Sequence, residues 1–244
     1  MTTHLWKDAI PAGDGAILLD FGDSLDPVVN RAVHQVAVVL KKCRKPGIWG
    51  IVPAYTTLLI EFDPIQMTTA GVIALLDQLN VEGVSDLPSR TFEIPVCYEG
   101  GLGPDLDDVA SRLGTSIQSI IERHTGRSYQ IYCIGFSPGF PLCGVLPENL
   151  RVPRRESPRT MVPSGSVAIA GFQTGVYPTA SPGGWHILGR TPARLFVLHR
   201  DPPILYRPGD YIRFRAIDPK EFRELESRVK ERQEIIREVP HAPS

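Results

Sequence analysis

The segment Gly135-Phe136-Ser137-Pro138-Gly139 has the GxSxG spacing that can mount a serine nucleophile on a sharp turn after a strand. One atom argues against that chemistry. The residue after the serine must donate its backbone N–H to an oxyanion, and Pro138 has none. Phe140-Pro141 opens no helix either, so Ser137 reads as part of a tight turn rather than as a nucleophile. A stronger signal is charge. From Arg151 to Arg194 there are six arginines (Arg151, Arg154, Arg155, Arg159, Arg190 and Arg194) against Glu156 alone, so six minus one leaves +5 in a chain of net charge -1. Guanidinium forks suit carboxylate and phosphate groups, and nearby glycines let backbone N–H groups approach an anion closely. Any one of these arginines equally suits a distant carboxylate partner or solvent. His124 and His186 titrate in the range of a general acid or base, although a single histidine more often has a structural place.

Other chemistries find no support. There is no GxxxxGK[ST] loop, and Gly100-Gly101-Leu102-Gly103 lacks the third glycine and helix start of a dinucleotide fingerprint. No HExxH or acid-rich cluster suggests a metal, and Cys43, Cys97, Cys133 and Cys143 form no zinc pattern; four buried thiols are expected. The 26 Lys and Arg balance 27 Asp and Glu, and no basic helix carries interleaved aromatics, so nucleic acid is not an expected partner. No apolar run approaches the roughly 18 residues of a membrane span, and the opening residues show no leader pattern; the expected location is the cytoplasm.

The elements that must position these groups fall into two kinds. Over residues 15–96 the pattern is strand (Gly15–Gly22), helix (Val28–Lys42, with Asp26-Pro27 as cap and first turn), strand (Ile48–Val52), strand (Thr57–Phe62), helix (Thr68–Leu79) and strand (Thr91–Val96). This β-α-β-β-α-β order predicts a ferredoxin-like layer. Two short helices follow, Asp105–Leu113 and Ser116–His124, the second with Thr115 and Gln118 at capping-box spacing. After a strand at Ser128–Ile134, residues 135–192 hold nine glycines and nine prolines, against a combined average of roughly 12%. Strands are expected at Val167–Phe172, Ala193–Leu198 and Tyr211–Ile217, giving a β-barrel or sandwich with long loops. Asp218-Pro219 then opens a charged helix with Phe222, Leu225, Val229 and Ile236 as its apolar seam.

Three stretches, GFSPGFPLCGVLPENL (135–150), PRRESPRTMVPSGSVAIAGFQTGVYP (153–178) and SPGGWHILGRTP (181–192), together resemble the allophanate hydrolase subunit 1 / KipI family, which includes the B subunit of 5-oxoprolinase (PxpB) and carboxyltransferase domains. The likeness runs from about Gly13 to Ile217 and takes in EIPVCYEGG, DLDDVA, IIERHTG and RPGDYIRF. It implies an α+β chain: a small ferredoxin-like α/β N-terminal domain (1–90), then a cyclophilin-like β-barrel domain (91–217). A charged C-terminal helix and tail (218–244) lie beyond it. Family positions that imply binding of a small-molecule substrate fall on Phe136, Pro138, Gly139, Phe140, Arg154, Arg159, Ser166, Gln173, Tyr177, Gly183, Gly184, Trp185 and Arg190. Leu142 and Cys143 depart from the pattern, which usually has an aromatic and an aliphatic there.

The resemblance further implies a subunit of an ATP-dependent enzyme that opens 5-oxoproline to L-glutamate. Its expected partners are a homologous KipA/PxpC-like subunit and a PxpA-like subunit, and its cofactor is ATP with Mg, bound together with them. The chain alone is expected to be inactive. Two alternatives remain at this stage: a binding module that inhibits a histidine kinase, and a carboxyltransferase subunit of urea or allophanate metabolism, for which the chain has no biotin site of its own.

Overall fold

The computed structural model describes residues 5–79 and 89–240. The chain divides into two compact units, Met1–Pro88 and Ser89–Ser244. Among the described residues no helix is long and apolar enough to cross a membrane.

In the first unit, strands β1 (Asp8–Pro11), β2 (Ala16–Asp20), β3 (Ile48–Pro53) and β4 (Thr57–Phe62) form an antiparallel sheet in the order β1-β2-β4-β3. Helices α1 (Pro27–Cys43) and α2 (Thr69–Asp77) cover one face. Alternation decides which residues face them: Ile17, Leu19, Leu58, Ile60 and Phe62 are buried against Val33, Val36, Leu40, Val72 and Leu76. Asp26 caps α1 by accepting the Val28 N–H at 2.7 Å, and Thr68 caps α2 by accepting that of Gly71 at 3.1 Å. The strand order differs from the sequence expectation. The Thr91–Val96 segment does not join this sheet; its edge position beside β2 is filled by β1, whose proline is tolerated only at an edge.

The second unit is a mixed α/β body built around a closed barrel. Its strands are β5 (Thr91–Cys97), β6 (Ser128–Ile134), β7 (Pro141–Gly144), β8 (Arg159–Val162), β9 (Ser166–Ala170), β10 (Gln173–Val176), β11 (Ser181–Gly183), β12 (His186–Arg190), β13 (Tyr211–Ile217) and β14 (Arg237–Val239). Seven of them run β12-β9-β10-β7-β6-β13-β5, and the Arg190–Cys97 pairing of β12 with β5 closes the ring. β13 lies parallel to β5 over its whole length, and β14 pairs with Thr91–Glu93 on the opposite edge of β5, the edge whose Cys97 end meets β12. Seven strands leave an interior that side chains fill. Phe92, Ile94 and Val96 meet Tyr129, Ile131, Val167, Ile169, Ile212 and Phe214 there, while Ala168, Ala170 and Ile187 point to the opposite face. That opposite face lies beneath the two-stranded β8–β11 ribbon.

Helices α3 (Leu106–Leu113), α4 (Ile117–Thr125) and α5 (Pro219–Lys230) complete the unit. Ser116, not Thr115, caps α4, because its Oγ is the one that accepts the Ser119 N–H. α5 ends at Lys230, six residues before Ile236; Arg232 turns left-handed and the chain returns as β14, burying Leu225, Val229, Ile235 and Ile236 in the barrel core. Ala193–Leu198 forms no strand. Pro192, Pro202 and Pro203 deprive the region of donors, and the Arg200 guanidinium takes the carbonyls of Leu195, Pro202 and Pro203 that a ladder would otherwise use. Three of the four cysteines are buried and all are free, but Cys43 is exposed at the end of α1.

Candidate functional site

The site grows out of the turn that follows β6. Ser137 N–H donates to Gly135 O and Phe140 N–H to Ser137 O, while Phe136 sits at φ 66 and Gly139 at φ 81. A left-handed phenylalanine is uncommon, and here it holds the ring out, 69% exposed. Beneath it lies an aromatic group. Phe140, buried on the face of the barrel wall that lies under the ribbon, meets Tyr177 edge-on at 5.0 Å and Trp185 at 5.7 Å, and Phe136 approaches Phe140 at 5.6 Å and Tyr177 at 6.3 Å. Gly183 packs against the Tyr177 ring so closely that a Cβ would overlap its phenol oxygen, and Gly184 lies over Pro158. Burial raises the Tyr177 pKa against the opposing Trp185 backbone N–H and the charges of Arg154 and Arg159, so the phenol stays neutral and can donate. Ser137 Oγ is buried and makes no hydrogen bond, with no base in contact to activate it.

The loop that carries the arginines is fixed by one buried carboxylate. Asp105, whose side chain is 4% exposed, precedes α3 without capping it. Its oxygens instead accept from Arg155 Nη1 at 3.0 Å, Arg159 Nη1 and Nη2 at 2.9 and 2.6 Å, and the Ile187 N–H at 2.7 Å. Two guanidiniums on one carboxylate leave an excess positive charge where β8 pairs with β11 through Arg159 and Gly183. Arg154 is exposed and uncommitted, with its charge felt by Tyr177. Arg155 Nε and Ser181 Oγ, on the same loops, are buried without partners.

The histidines separate. His124 is fully buried and stacks on Phe214 at 4.5 Å. Thr174 spends its hydroxyl proton on Ala168 O at 3.2 Å, so it accepts from His124 Nε2 at 2.9 Å, and Nδ1 accepts the Tyr98 O–H at 2.8 Å. Burial pulls its pKa down to about 3. This ring is neutral, fully bonded and inside the barrel, and has no nitrogen for a substrate. His186 follows Trp185 in the chain, but alternation along β12 turns its ring to the other face from Trp185 and Ile187, toward Asp108 of α3. Its Nε2 donates to Pro153 O at 3.0 Å, while Nδ1 makes no hydrogen bond and lies 3.5 Å from Asp108 Oδ2. Burial lowers its pKa, so the ring is uncharged at neutral pH.

Of the other sequence candidates, Pro138 and Gly139 belong to the Phe136 turn. Arg190 donates from Nε to Ser164 O at 2.9 Å, and Gly165, at φ 81, bonds Tyr177 O through its N–H. Ser166 accepts the Tyr177 N–H on its carbonyl. These three shape the turn behind the site. Gln173 lies at the turn end of the β9–β10 hairpin, paired with Ala170 and two residues along the strand from Gly175, which packs on the Phe140 ring. Asp105 is the residue that the sequence reading misses, and with it the pairing that commits Arg155, which stands there only as one of six arginines of the basic segment. Its one signal was an acid that opens α3 yet is followed by two further acids better placed for the helix dipole. Among the described residues no group of three or more His, Cys, Asp or Glu side chains is arranged to hold a metal ion.

Residues 8–206 match the family model "Carboxyltransferase domain, subdomain C and D". Curated relatives named as the B subunit of 5-oxoprolinase are 37 to 54% identical. The one from Escherichia coli O157:H7 is 54% identical over 203 residues, 83% of this chain and 92% of its own. Among solved structures, the crystal structure of TTHA0988 is similar with a TM-score of 0.77 at 39% identity, covering 84% of this chain. This chain spans only 40% of that longer one. The Kluyveromyces lactis urea carboxylase shares the fold, with a TM-score of 0.75 at 18% identity over 95% of this chain and 23% of that one. With its closed barrel, its loop motifs and these relatives in agreement, the chain belongs to the family of 5-oxoprolinase B subunits, within the carboxyltransferase-domain proteins.

Proposed function

We propose that this chain is a subunit of a cytoplasmic, ATP-dependent 5-oxoprolinase that opens 5-oxoproline to L-glutamate, with a KipA/PxpC-like and a PxpA-like subunit as partners. The observation that carries the reading is the 54% identity to a 5-oxoprolinase B subunit over 92% of that relative's length. The architecture belongs with it: the closed barrel carries the site, and a four-stranded antiparallel sheet with two helices comes before it in the chain.

The site suits the substrate chemically. A flat five-membered lactam with a carboxylate needs a shallow aromatic surface and a cation. The exposed Phe136 ring, backed edge-on by the buried Tyr177, offers the first and Arg154 the second, with Arg159 adding field while it stays bound to Asp105. The neutral Tyr177 hydroxyl can donate to a lactam oxygen. The residues fit an oxyanion better than a whole Mg-nucleotide: the sequence has no phosphate loop, and among the described residues no three His, Cys, Asp or Glu side chains gather to hold a metal. ATP would supply the phosphoryl group that makes the lactam oxygen a leaving group. Its site is therefore assigned to the assembled enzyme rather than to these residues. Within this chain the work is to bind and orient the ring and to hold the carboxylate.

The test is 5-oxoproline-dependent ATP hydrolysis by the chain alone and by the chain reconstituted with its two partners. Activity in the mixture only, lost in Arg154→Ala, supports the reading. Turnover by the isolated chain removes the partner requirement. A well-folded mixture without activity turns the choice to kinase inhibition or carboxyl transfer.

A further inference from the structure

Outside the aromatic site, the second unit has a cleft of about 260 Å³ between α5 and the strands β5, β13 and β14. Its floor is apolar, from Pro95, Leu225 and Ile235, and its walls are charged. Sheet register determines which charges meet. Glu93 on β5 stands directly opposite Arg213 of β13 on one side and Arg237 of β14 on the other, and Arg215 lies two residues along on the same face as Arg213.

Both carboxylates in the cleft are fully used. Glu93 accepts from Arg213 at 2.7 Å and Arg215 at 3.3 Å, and Glu221 takes both remaining ends of Arg215 at 2.8 and 3.3 Å. Arg228, one helical face along from Glu221 and Leu225, gives only its Nε to Gln233 Oε1, at 2.9 Å. Arg237 makes no hydrogen bond or ion pair among the described residues. Four guanidiniums therefore surround two carboxylates, and the two left over, Arg228 and Arg237, line the cavity.

We infer that this cleft binds a compact dianion, a dicarboxylate or a phosphate, gripped by Arg228 and Arg237 above the apolar floor. Planar forks on two sides suit two oxyanion ends, or one tetrahedral group. Six of the eight residues that line the cleft lie after 206, where the family match ends. No residue is shared with the aromatic site.

Titration calorimetry on the full chain at constant ionic strength, with inorganic phosphate and glutarate as separate probes and chloride as the competitor, tests it. One probe is expected to bind stoichiometrically, which also tells phosphate from dicarboxylate. Arg228→Ala/Arg237→Ala should weaken it at least tenfold, while Lys41→Ala/Lys42→Ala, an equal charge change on α1, should leave it unaltered. Failure of both probes to bind more tightly than chloride overturns the inference. So does an equal loss in the two double variants, which would reduce the effect to general attraction. Because binding is read directly, the outcome is independent of whether the assembled enzyme turns over 5-oxoproline.

Discussion

Asp105→Asn is the substitution that separates a site held by the fold from one that forms on its own. The carboxylate is 4% exposed and accepts three guanidinium N–H bonds and one backbone N–H. Charge-assisted bonds contribute about 1.5–3 kcal/mol each. Arg155 and Arg159 are 29% and 25% exposed, so each recovers part of its hydration when released. Asparagine keeps one acceptor but turns its amide N–H₂ toward a guanidinium that can only donate. The net loss is then about 3 kcal/mol, at the lower edge of what breaking a buried pair costs. For a unit of this size that lowers the melting temperature by roughly 6–12 °C. Because Arg159 pairs with Gly183 across β8 and β11, the loosened loop should also raise KM for 5-oxoproline in the reconstituted enzyme more than it lowers kcat. Differential scanning calorimetry and steady-state kinetics read the two effects. Arg112→Ala, which removes a solvent-exposed i,i+4 pair with Asp108, is the control and should leave the melting temperature unchanged. A shift below about 2 °C for Asp105→Asn would refute the view that this carboxylate anchors the arginine loop.

Burial lowers the His124 pKa from 6.5 to about 3, so between those values the unfolded chain binds a proton that the folded one refuses. Stability from this group is complete above pH 6.5 and declines toward pH 3, at up to about 1.4 kcal/mol per pH unit. Urea midpoints at pH 7 and pH 5 should show the advantage of the native chain over His124→Gln shrinking in acid; an equal gap at both pH values would locate the acid sensitivity elsewhere. Phe136 and Phe140 are expected to part company. Phe140→Ala should cost about 3–5 kcal/mol, because it empties a buried aromatic position, whereas Phe136→Ala should stay within about 1 kcal/mol yet reduce activity in the reconstituted enzyme. Equal destabilisation of the two would show that Phe136 packs rather than binds.

Local rules made much of the chain legible. Asp26-Pro27, Thr68 and Asp218 start helices because their side chains satisfy orphan N–H groups within two or three residues, a purely local matter. Short apolar runs at Ile17–Leu19 and Leu58–Phe62 announced strands, while which face is buried shows only in the structure. The glycine- and proline-rich stretch 135–192, dense in motifs and in arginine, is where the sequence places its candidate site, and Pro138 with the missing helix after it argues against a serine elbow.

Tertiary structure decided what depends on partners far along the chain. Thr91–Val96 looks the same in a layer or in a barrel; β13, some 120 residues later, supplies the pairing that places it in the second. Ala193–Leu198 has the composition of a strand, but Arg200 and the prolines around it offer its carbonyls a different set of partners. His124 and His186 are alike as letters. Packing makes one a bonded ring inside a barrel and leaves the other on β12 with one nitrogen bonded to Pro153 O and the other facing Asp108. The arginine-rich segment by itself predicts a basic patch, while Asp105, from fifty residues upstream, determines which guanidiniums are committed and leaves Arg154 free. Propensity, capping and alternation are written within a few residues of sequence; strand pairing, burial and charge neutralisation arise only when distant segments meet, and the chemistry of this site depends on the second group.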